Sequence, residues 1–333
     1  MAALNEAWFY AKLPEDKVEC RLCPHTCIIP PGKRGICRVR ENRGGRLYSR
    51  NYGRCSSLAL DPMEKKPLYH FYPGSLVLSV GTLGCNFRCA FCQNWEIAQE
   101  EPATVTLTPE DLVRKARDVE STGIAYTYSE PLVWFEFVLA TARLARQAGL
   151  KNVMVSNGFI RPEPLAELLP WIDAWNIDIK GFSLEFYRKI VHGDYRPVLE
   201  TAAAAVGAGN HVEITTLLVT GLNDDPKELA GLVEWVAANL GVDTPLHFSR
   251  YFPRYRLQEP PTPLATLRRA WEMARQHLHY VYLGNVADPE ANNTYCPLCG
   301  ALVIRRTGYH VSLAGLEGRS CRACGSELAI VRD

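Results

Sequence analysis

The sequence lacks the features that would point to nucleic acid or a membrane. Its 333 residues carry 37 Lys and Arg against 36 Asp and Glu, a formal net charge of +1. A balanced charge gives no electrostatic case for a nucleic-acid partner or an acidic membrane surface. No apolar run approaches the roughly 20 residues of a membrane helix, and the start, MAALNEAWFYAKLPEDK, has no basic segment followed by an apolar stretch. We therefore expect a cytoplasmic protein.

Cysteine carries most of the information. Of the 12 cysteines, all but Cys55 fall into three clusters with the short spacings of metal ligands, in a long chain without a secretory segment. This arrangement favours metal binding over disulfides. Cys55 stands alone, and a lone cysteine is usually a small buried apolar residue.

The central cluster follows a strand-like apolar run, LVLSVGTLG. Cys85, Cys89 and Cys92 have the spacing C-x-x-x-C-x-x-C, and no fourth cysteine stands near. Three thiolates on a four-iron cluster leave one iron without a protein ligand. A metal site with an open position is suited to chemistry rather than to holding a fold, so we predict the catalytic centre here.

The N-terminal cluster has four cysteines, Cys20, Cys23, Cys27 and Cys37, among prolines and glycines that favour turns. Four ligands close a tetrahedral shell, so zinc and a fully ligated iron-sulfur cluster both fit. The spacing does not choose between them. His25, between two of the cysteines, is interpreted as a bystander.

The C-terminal cluster consists of two knuckles, CPLCG with Cys296 and Cys299 and CRACG with Cys321 and Cys324, separated by 21 residues. This spacing predicts a zinc ribbon, with rubredoxin-like iron as the alternative. The intervening ALVIRRTGYHVSL is interpreted as two short strands. Because the site is closed, we expect a structural role.

A rival interpretation makes the chain a metal-binding module that binds RNA or protein through this ribbon. A modest basic cluster there consists of Arg305, Arg306, Arg319 and Arg322. It lacks the interleaved aromatic residues typical of proteins that bind single strands. Nucleic acid is therefore not the favoured partner.

Between the clusters, short apolar runs alternate with amphipathic helical stretches, as in repeated βα units with a parallel sheet. The strand candidates are LVLSVGT, IAYTYSE, NVMVSNG, DAWNIDIK, VEITTLLV, PLHFSRYF and YVYLGNV. They predict an α/β fold, a partial or near-complete TIM-like barrel at residues 76–288. A Cys-rich arm at 1–75 and a zinc-ribbon-like or rubredoxin-like module at 289–333 flank it. Such barrels place their chemistry at the carboxyl ends of the strands.

Alternation along each strand sorts the side chains onto two faces. Asp178 and Lys180 fall on the inward face of DAWNIDIK, where they fit a polar ligand or, alternatively, an internal ion pair that braces the barrel. Glu130 ends its strand at the mouth and fits an ammonium group. Asn157 is interpreted equally as a turn residue or a ligand contact. His247 lies at the expected mouth.

The segment CNFRCAFC, with an aromatic residue, Phe91, before the last cysteine, resembles the cluster motif of the radical S-adenosylmethionine (SAM) superfamily. The resemblance covers about residues 76–286. It implies a [4Fe-4S] cluster on Cys85, Cys89 and Cys92 whose open iron binds SAM. Reductive cleavage then gives methionine and a 5'-deoxyadenosyl radical, which abstracts hydrogen from a substrate. It also implies a flavodoxin-like or ferredoxin-like electron donor.

Two further segments resemble SAM-binding motifs. The family's Gly-Gly-Glu-Pro segment appears as YSEP, which implies Ser129 and Glu130 beside the SAM amino group, although both glycines are missing. The segment NIDIK resembles the Asp-x-Lys segment of pyruvate formate-lyase activating enzymes. That implies Asp178 on the ribose hydroxyls and Lys180 near the SAM carboxylate. The remaining SAM-binding candidates are Phe91, Asn157 and His247.

The whole chain is most similar to the radical SAM component of the AmmeMemoRadiSam system, through CPHTC, GKRGICRVREN, EKKPLYHFYPG, GCNFRCAFCQNW, HFSRYFP, YLGN and CPLCG. This resemblance implies Memo-like and AMMECR-like proteins as partners, and it does not imply a substrate. We favour a small-molecule substrate, because the arm or the ribbon is large enough to act as a lid. An activase for a glycyl radical protein is the alternative.

Overall fold

The structure, a computed structural model, describes residues 5–332. Its centre is an eight-stranded sheet whose first strand, Ser57–Pro62, lies antiparallel at one edge. The other strands are parallel and follow in chain order: Leu76–Gly81, Gly123–Tyr126, Lys151–Ser156, Ala174–Asp178, His211–Leu218, Leu246–Arg250 and Val281–Gly284. Every predicted barrel strand is present, and the predicted α/β partial barrel is confirmed. Within residues 5–332, no pairing joins the two edge strands, so the sheet stays open.

Helices connect the parallel strands. The longer ones are Pro109–Asp118, Phe135–Gln147, Pro162–Leu168, Arg196–Gly207, Pro226–Asn239 and Leu264–Ala274. Shorter helical segments are Met63–Lys65, Trp95–Gln99, Pro131–Trp134, Leu169–Trp171, Leu184–Phe186, Tyr187–Val191 and Pro289–Asn292. Thr108 caps the helix Pro109–Asp118: its Oγ1 accepts from Asp111 N at 3.1 Å, and the Asp111 carboxylate accepts from Thr108 N at 3.1 Å. This reciprocal pair satisfies two donors that the first turn would otherwise leave unpaired.

The strand Ala174–Asp178 shows the two faces that alternation predicts. Trp175 and Ile177 are fully buried in the main apolar core, which the helices share. Asn176 points the other way, and its Nδ2 donates to Thr215 Oγ1 of the adjacent strand at 2.9 Å and to Pro67 O at 2.8 Å. The inside of the barrel is therefore polar at this level.

The segment 63–75 closes the barrel at the amino ends of the strands. It follows Ser57–Pro62, which runs antiparallel to the first parallel strand. Met63, Leu68 and Phe71 are buried against side chains near the strand starts, among them Ala174. We call residues 63–75 the plug. The structure thus differs from the predicted arm of residues 1–75. The last part of that arm has little hydrophobic periodicity, yet Ser57–Pro62 forms a strand of the main sheet and residues 63–75 fill part of the barrel interior.

The rest of the arm forms small sheets beside the barrel. Their strands are Asn5–Glu6, Tyr10–Lys12, Val18–Cys20, Ile28–Ile29, Arg40–Arg43, Arg46–Ser49 and Arg54–Cys55, the last pairing with Val105–Thr106. Cys55 is buried, as expected for a lone cysteine. The outermost residues of the two predicted end domains, 1–4 and 333, lie outside the described residues. None of the described helices is both long and apolar enough to cross a membrane.

The C-terminal module packs on the plug. Its strands are Thr294–Tyr295, Leu302–Thr307, His310–Ser312, Leu316–Glu317 and Ser320–Cys321, which include the two predicted between the knuckles. Val331 N donates to His70 O at 2.7 Å, and Tyr72 N donates to Val331 O at 2.8 Å. The module therefore lies at the amino ends of the barrel strands. Of the two segments considered as a lid, the arm and the ribbon, the ribbon does not lie at the mouth, which is at the opposite end.

Of the four arginines of the basic cluster on the ribbon, three are exposed and one, Arg306, is not. Arg306 is buried, and its guanidinium donates to Tyr69 O at 2.7 Å and to Thr294 Oγ1 at 2.8 Å. Arg319 forms an ion pair with Glu327. Sequence spacing could not reveal this burial, because one partner of Arg306, the carbonyl of Tyr69, comes from the plug.

Replacing Leu68 by Ala is expected to lower the free energy of unfolding by about 2–5 kcal/mol, because the buried side chain leaves a cavity in the plug. Leu60→Ala is the matched control, since Leu60 is 40% exposed on the edge strand, and we expect a loss of about 1 kcal/mol or less. Guanidinium unfolding of both variants measures the difference. Equal losses would contradict the packing of residues 63–75 inside the barrel.

Candidate active site

The cysteine loop, residues 82–92, leaves the carboxyl end of the first parallel strand, Leu76–Gly81. It is anchored on one side by Arg88 N, which donates to Val191 O at 3.0 Å, and by Ala90 N, which donates to Ile190 O at 3.1 Å. Gly84 has φ +89°, and a Cβ there would stand 2.7 Å from Cys37 O. Only glycine fits this close approach. The loop is thus fixed between the barrel and the N-terminal arm.

The three thiols of this loop fit an iron-sulfur cluster better than a single ion. Cys89 is buried, and Cys85 and Cys92 are half-buried. A mononuclear site needs its sulfurs close together. Among the described residues, the sulfurs of Cys85, Cys89 and Cys92 do not all lie within 4.8 Å of one another. Burial raises the pKa of Cys89 to about 12, although Lys180 opposes this. The thiolates therefore need a strongly cationic partner, which iron supplies.

Glu130 lies beside this loop with its carboxylate fully buried. It accepts hydrogen bonds from Leu132 N at 2.9 Å, Ser156 Oγ at 2.7 Å and Asn157 N at 2.9 Å. Burial raises its pKa to about 7, while these bonds and the charge of Lys180 lower it. The same carboxylate raises the pKa of Cys85. The site thus has concentrated negative charge that a bound ammonium group would relieve.

Asn157 forms the turn that its sequence context allows, while a contact with SAM stays a prediction. Its Oδ1 accepts from Phe159 N at 2.9 Å, an Asx-type turn, and its Nδ2 lies 3.7 Å from Cys85 Sγ. The Nδ2 also donates to Asn86 Oδ1 at 2.8 Å. Asn86 was missed at the level of sequence, although its position directly after Cys85 marks it as part of the loop.

Asp178 and Lys180 form an ion pair of 2.8 Å at the end of their strand. Although burial lowers it, the pKa of Lys180 is raised by Asp178 and by the thiols of Cys89 and Cys92. The structure therefore brings this pair beside the cysteine loop. Both the ligand interpretation and the bracing interpretation are consistent with this geometry.

Ser129 and Phe91 also lie at the cysteine loop. The hydroxyl of Ser129 donates to Thr82 O at 2.8 Å, and the ring of Phe91 stacks on Phe186 with centroids 6.0 Å apart. Asn94 Nδ2 donates to Tyr128 O at 2.8 Å, so the segment before Glu130 is held from both sides. These contacts position the loop, and roles in binding SAM stay predictions.

His247 lies in a buried polar network deeper in the barrel. Its Nε2 is 2.7 Å from Glu213 Oε2, and its ring stacks on Tyr282. Glu213 also accepts from the backbone N of Tyr69 at 3.0 Å and of His70 at 2.7 Å. Burial opposes ionisation of Glu213, but hydrogen bonds from the histidines hold its pKa well below the usual range. One ring nitrogen of His247 is therefore engaged, and a SAM contact for His247 stays a prediction.

The two four-cysteine sets differ in geometry. In the C-terminal set, Cys296 Sγ lies 3.7 Å from Cys324 Sγ, and Cys299 Sγ lies 3.7 Å from Cys321 Sγ. All four sulfurs lie within 4.8 Å of one another. A tetrahedral shell with metal–sulfur bonds of about 2.3 Å has sulfur separations of about 3.8 Å, so this site fits one zinc or iron ion. In the N-terminal set, Cys20, Cys23, Cys27 and Cys37 are not so closely grouped.

Comparison with known proteins gives three findings. A family model described as the Radical SAM superfamily matches residues 79–236. An uncharacterized protein of Methanocaldococcus jannaschii is 47% identical over 98% of this chain and 100% of its own length. A pyruvate formate-lyase-activating enzyme of Listeria monocytogenes is 26% identical over 46% of this chain and 66% of its own length.

A solved structure agrees with the fold. A radical SAM methyltransferase from Sphaerobacter thermophilus superposes with a TM-score of 0.50 at 18% identity, covering 70% of this chain and 71% of that one. At this identity the likeness concerns the fold alone.

Cys321→Ser is expected to remove about one metal ion per chain, because a tetrathiolate site that loses one ligand binds its ion much more weakly. Elemental analysis by mass spectrometry measures this. Cys55→Ser is the control, since Cys55 lies outside the three clusters. An unchanged metal content in Cys321→Ser would show that the C-terminal set holds no ion.

Proposed function

Because the chain belongs to the radical SAM superfamily, we propose that it generates a 5'-deoxyadenosyl radical to abstract hydrogen from a small molecule held in the barrel. The observation that carries this proposal is the anchored loop with three thiols, Cys85, Cys89 and Cys92, at the carboxyl ends of the strands. A [4Fe-4S] cluster bound there supplies the electron that cleaves SAM.

The neighbouring residues have the chemistry that SAM requires. The Glu130 carboxylate is oriented by three hydrogen bonds and retains lone pairs for an ammonium group. Lys180 offers a positive charge to the SAM carboxylate, and Asp178 offers acceptors to the ribose hydroxyls. In the proposed complex, the SAM carboxylate pairs with Lys180 and the ribose hydroxyls donate to Asp178. These contacts replace part of the Asp178–Lys180 ion pair, so little electrostatic energy is lost.

The surroundings of the mouth favour a small substrate over a protein. On one side the arm reaches the barrel through Arg161 N, which donates to Leu22 O at 3.1 Å. On the other side, Tyr255 stacks on Trp95 with centroids 5.2 Å apart, and Arg256 N donates to Ala90 O at 3.0 Å. The plug fills the opposite end. Because segments flank the mouth on two sides, we favour a small substrate over the glycyl radical loop of a protein partner.

The second candidate is an activase. It is favoured by the Asp178–Lys180 pair and by the likeness to an activating enzyme. The interaction module gains no support, because Arg306 is buried.

As partners we propose a flavodoxin-like or ferredoxin-like electron donor and, from the motif resemblance alone, Memo-like and AMMECR-like proteins. Co-purification of these proteins with the chain tests the association.

Cys89→Ala is expected to abolish formation of 5'-deoxyadenosine from SAM under a strong reductant, since the cluster loses a ligand. Chromatography of the anaerobic reaction measures the product. Cys55→Ala should behave like the wild type. Retention of the activity in Cys89→Ala would sink the assignment of the cysteine loop.

The size of the substrate can be tested separately. An extract of the organism that encodes the protein is divided by ultrafiltration into a metabolite fraction and a protein fraction. We expect the metabolite fraction to accelerate formation of 5'-deoxyadenosine, because a bound substrate gives the radical a hydrogen to abstract. Acceleration by the protein fraction alone would favour the activase.

A further inference from the structure

The four N-terminal thiols form a second cluster of ligands close to the first. Cys20 N donates to Cys27 O at 2.9 Å, which folds the loop between them into a compact turn. A Cβ at Gly35, two residues before Cys37, would stand 3.6 Å from Cys27 Sγ, so the segment that carries Cys37 returns to the first three thiols. The arm therefore brings all four to one place, although Cys37 follows Cys27 only after a proline- and glycine-containing loop.

Their spacing is too open for one ion. Within residues 5–332, only the C-terminal thiols form a group with all sulfurs inside 4.8 Å. A single zinc ion would draw its sulfurs to about 3.8 Å of one another. A cube of four irons holds its cysteine sulfurs farther apart, because each sulfur binds a different iron. The N-terminal set resembles the thiols of the cysteine loop in this respect, but it has a fourth ligand.

The environment is arranged for a buried anionic group. Cys20 and Cys37 are buried, and Arg40 follows Cys37 by three positions. Arg40 is 1% exposed, and its Nε has no hydrogen-bond partner. The rest of its guanidinium is occupied by Glu136 Oε1 at 2.7 Å and Val133 O at 3.1 Å. A buried donor without a partner is costly, and a sulfur of a cluster would satisfy it.

The site touches the cysteine loop directly. His25, two residues after Cys23, places its Nε2 2.7 Å from Asn86 O. The carbonyl of Cys37 packs against Gly84. Asn86 and Gly84 are the two neighbours of Cys85. One hydrogen-bonded path and one packing contact thus connect the N-terminal thiols to the neighbours of the first ligand of the catalytic loop.

We propose that Cys20, Cys23, Cys27 and Cys37 hold a second, fully ligated [4Fe-4S] cluster that passes electrons to the cluster of the cysteine loop. This inference rests on the proposed function of that loop. A low-potential donor of the flavodoxin or ferredoxin class is oxidised by one electron, and the N-terminal cluster is reduced. It returns to its oxidised state when it reduces the SAM-binding cluster, so that one electron is delivered for each SAM cleaved.

Metal analysis and electron paramagnetic resonance (EPR) of the anaerobically reconstituted full chain test the site. We expect about eight irons and eight sulfides per chain in the wild type, and about four of each in both Cys23→Ala/Cys27→Ala and Cys89→Ala. SAM should change the EPR signal of the cluster that remains in Cys23→Ala/Cys27→Ala. It should leave the signal of the cluster that remains in Cys89→Ala unchanged. In the fully reduced wild type, magnetic coupling should broaden the spectrum beyond the sum of the two variants.

Electron transfer has its own readout. The rate of SAM cleavage is measured once with reduced flavodoxin and once with dithionite. The flavodoxin-driven rate divided by the dithionite-driven rate should fall in Cys23→Ala/Cys27→Ala but not in Cys55→Ala. An unchanged ratio would overturn the relay. A wild type with about four irons and two zinc ions would overturn the second cluster and leave the proposed function intact. Unaltered iron in Cys89→Ala would instead overturn the proposed function.

Discussion

The geometry of the catalytic loop depends on the buried carboxylate of Glu130. It binds Asn157 N and Ser156 Oγ, and thereby joins its own segment to the end of the adjacent strand. Asn157, fixed in this way, donates to Asn86 inside the cysteine loop. Three successive strand ends are held in one arrangement before any ligand binds, which is what a reactive metal site requires. The raised pKa of Glu130 is the electrostatic cost of this burial.

The two ends of the barrel have different tasks. At the amino ends, the plug and the C-terminal module fill the interior. Glu213 ties the plug to the late strands, because its carboxylate binds backbone N–H groups of the plug and ring nitrogens of His211 and His247. An ionised carboxylate is tolerated in such a place only when its lone pairs are satisfied. At the carboxyl ends, the charged groups face the mouth. This separation of stability from chemistry is the general pattern of βα barrels.

Local patterns predicted the parts of the molecule that local physics determines. Apolar runs with helices between them predicted the seven parallel strands, and alternation correctly placed the Asp178–Lys180 pair beside the cysteine loop. The plug and the position of the ribbon were not predictable, because they depend on contacts between residues far apart in sequence. Arg306 and Tyr69 are the clearest example: 237 positions separate two groups that share a hydrogen bond. The contact between His247 and Glu213 was not predictable for the same reason, since Glu213 lies on another strand.

The two four-cysteine sets show why a ligand count does not define a metal site. Both offer four thiols in short spacings, and the sequence left zinc and iron open for each. In the C-terminal set the sulfurs approach to 3.7 Å, and the site packs at the filled end of the barrel, where one ion can hold two knuckles together. In the N-terminal set the sulfurs are more widely spaced, a buried guanidinium stands beside them, and His25 contacts the catalytic loop. Spacing and location together fit a stabilising role for the C-terminal set, and they are the grounds on which we propose that the N-terminal set supplies electrons.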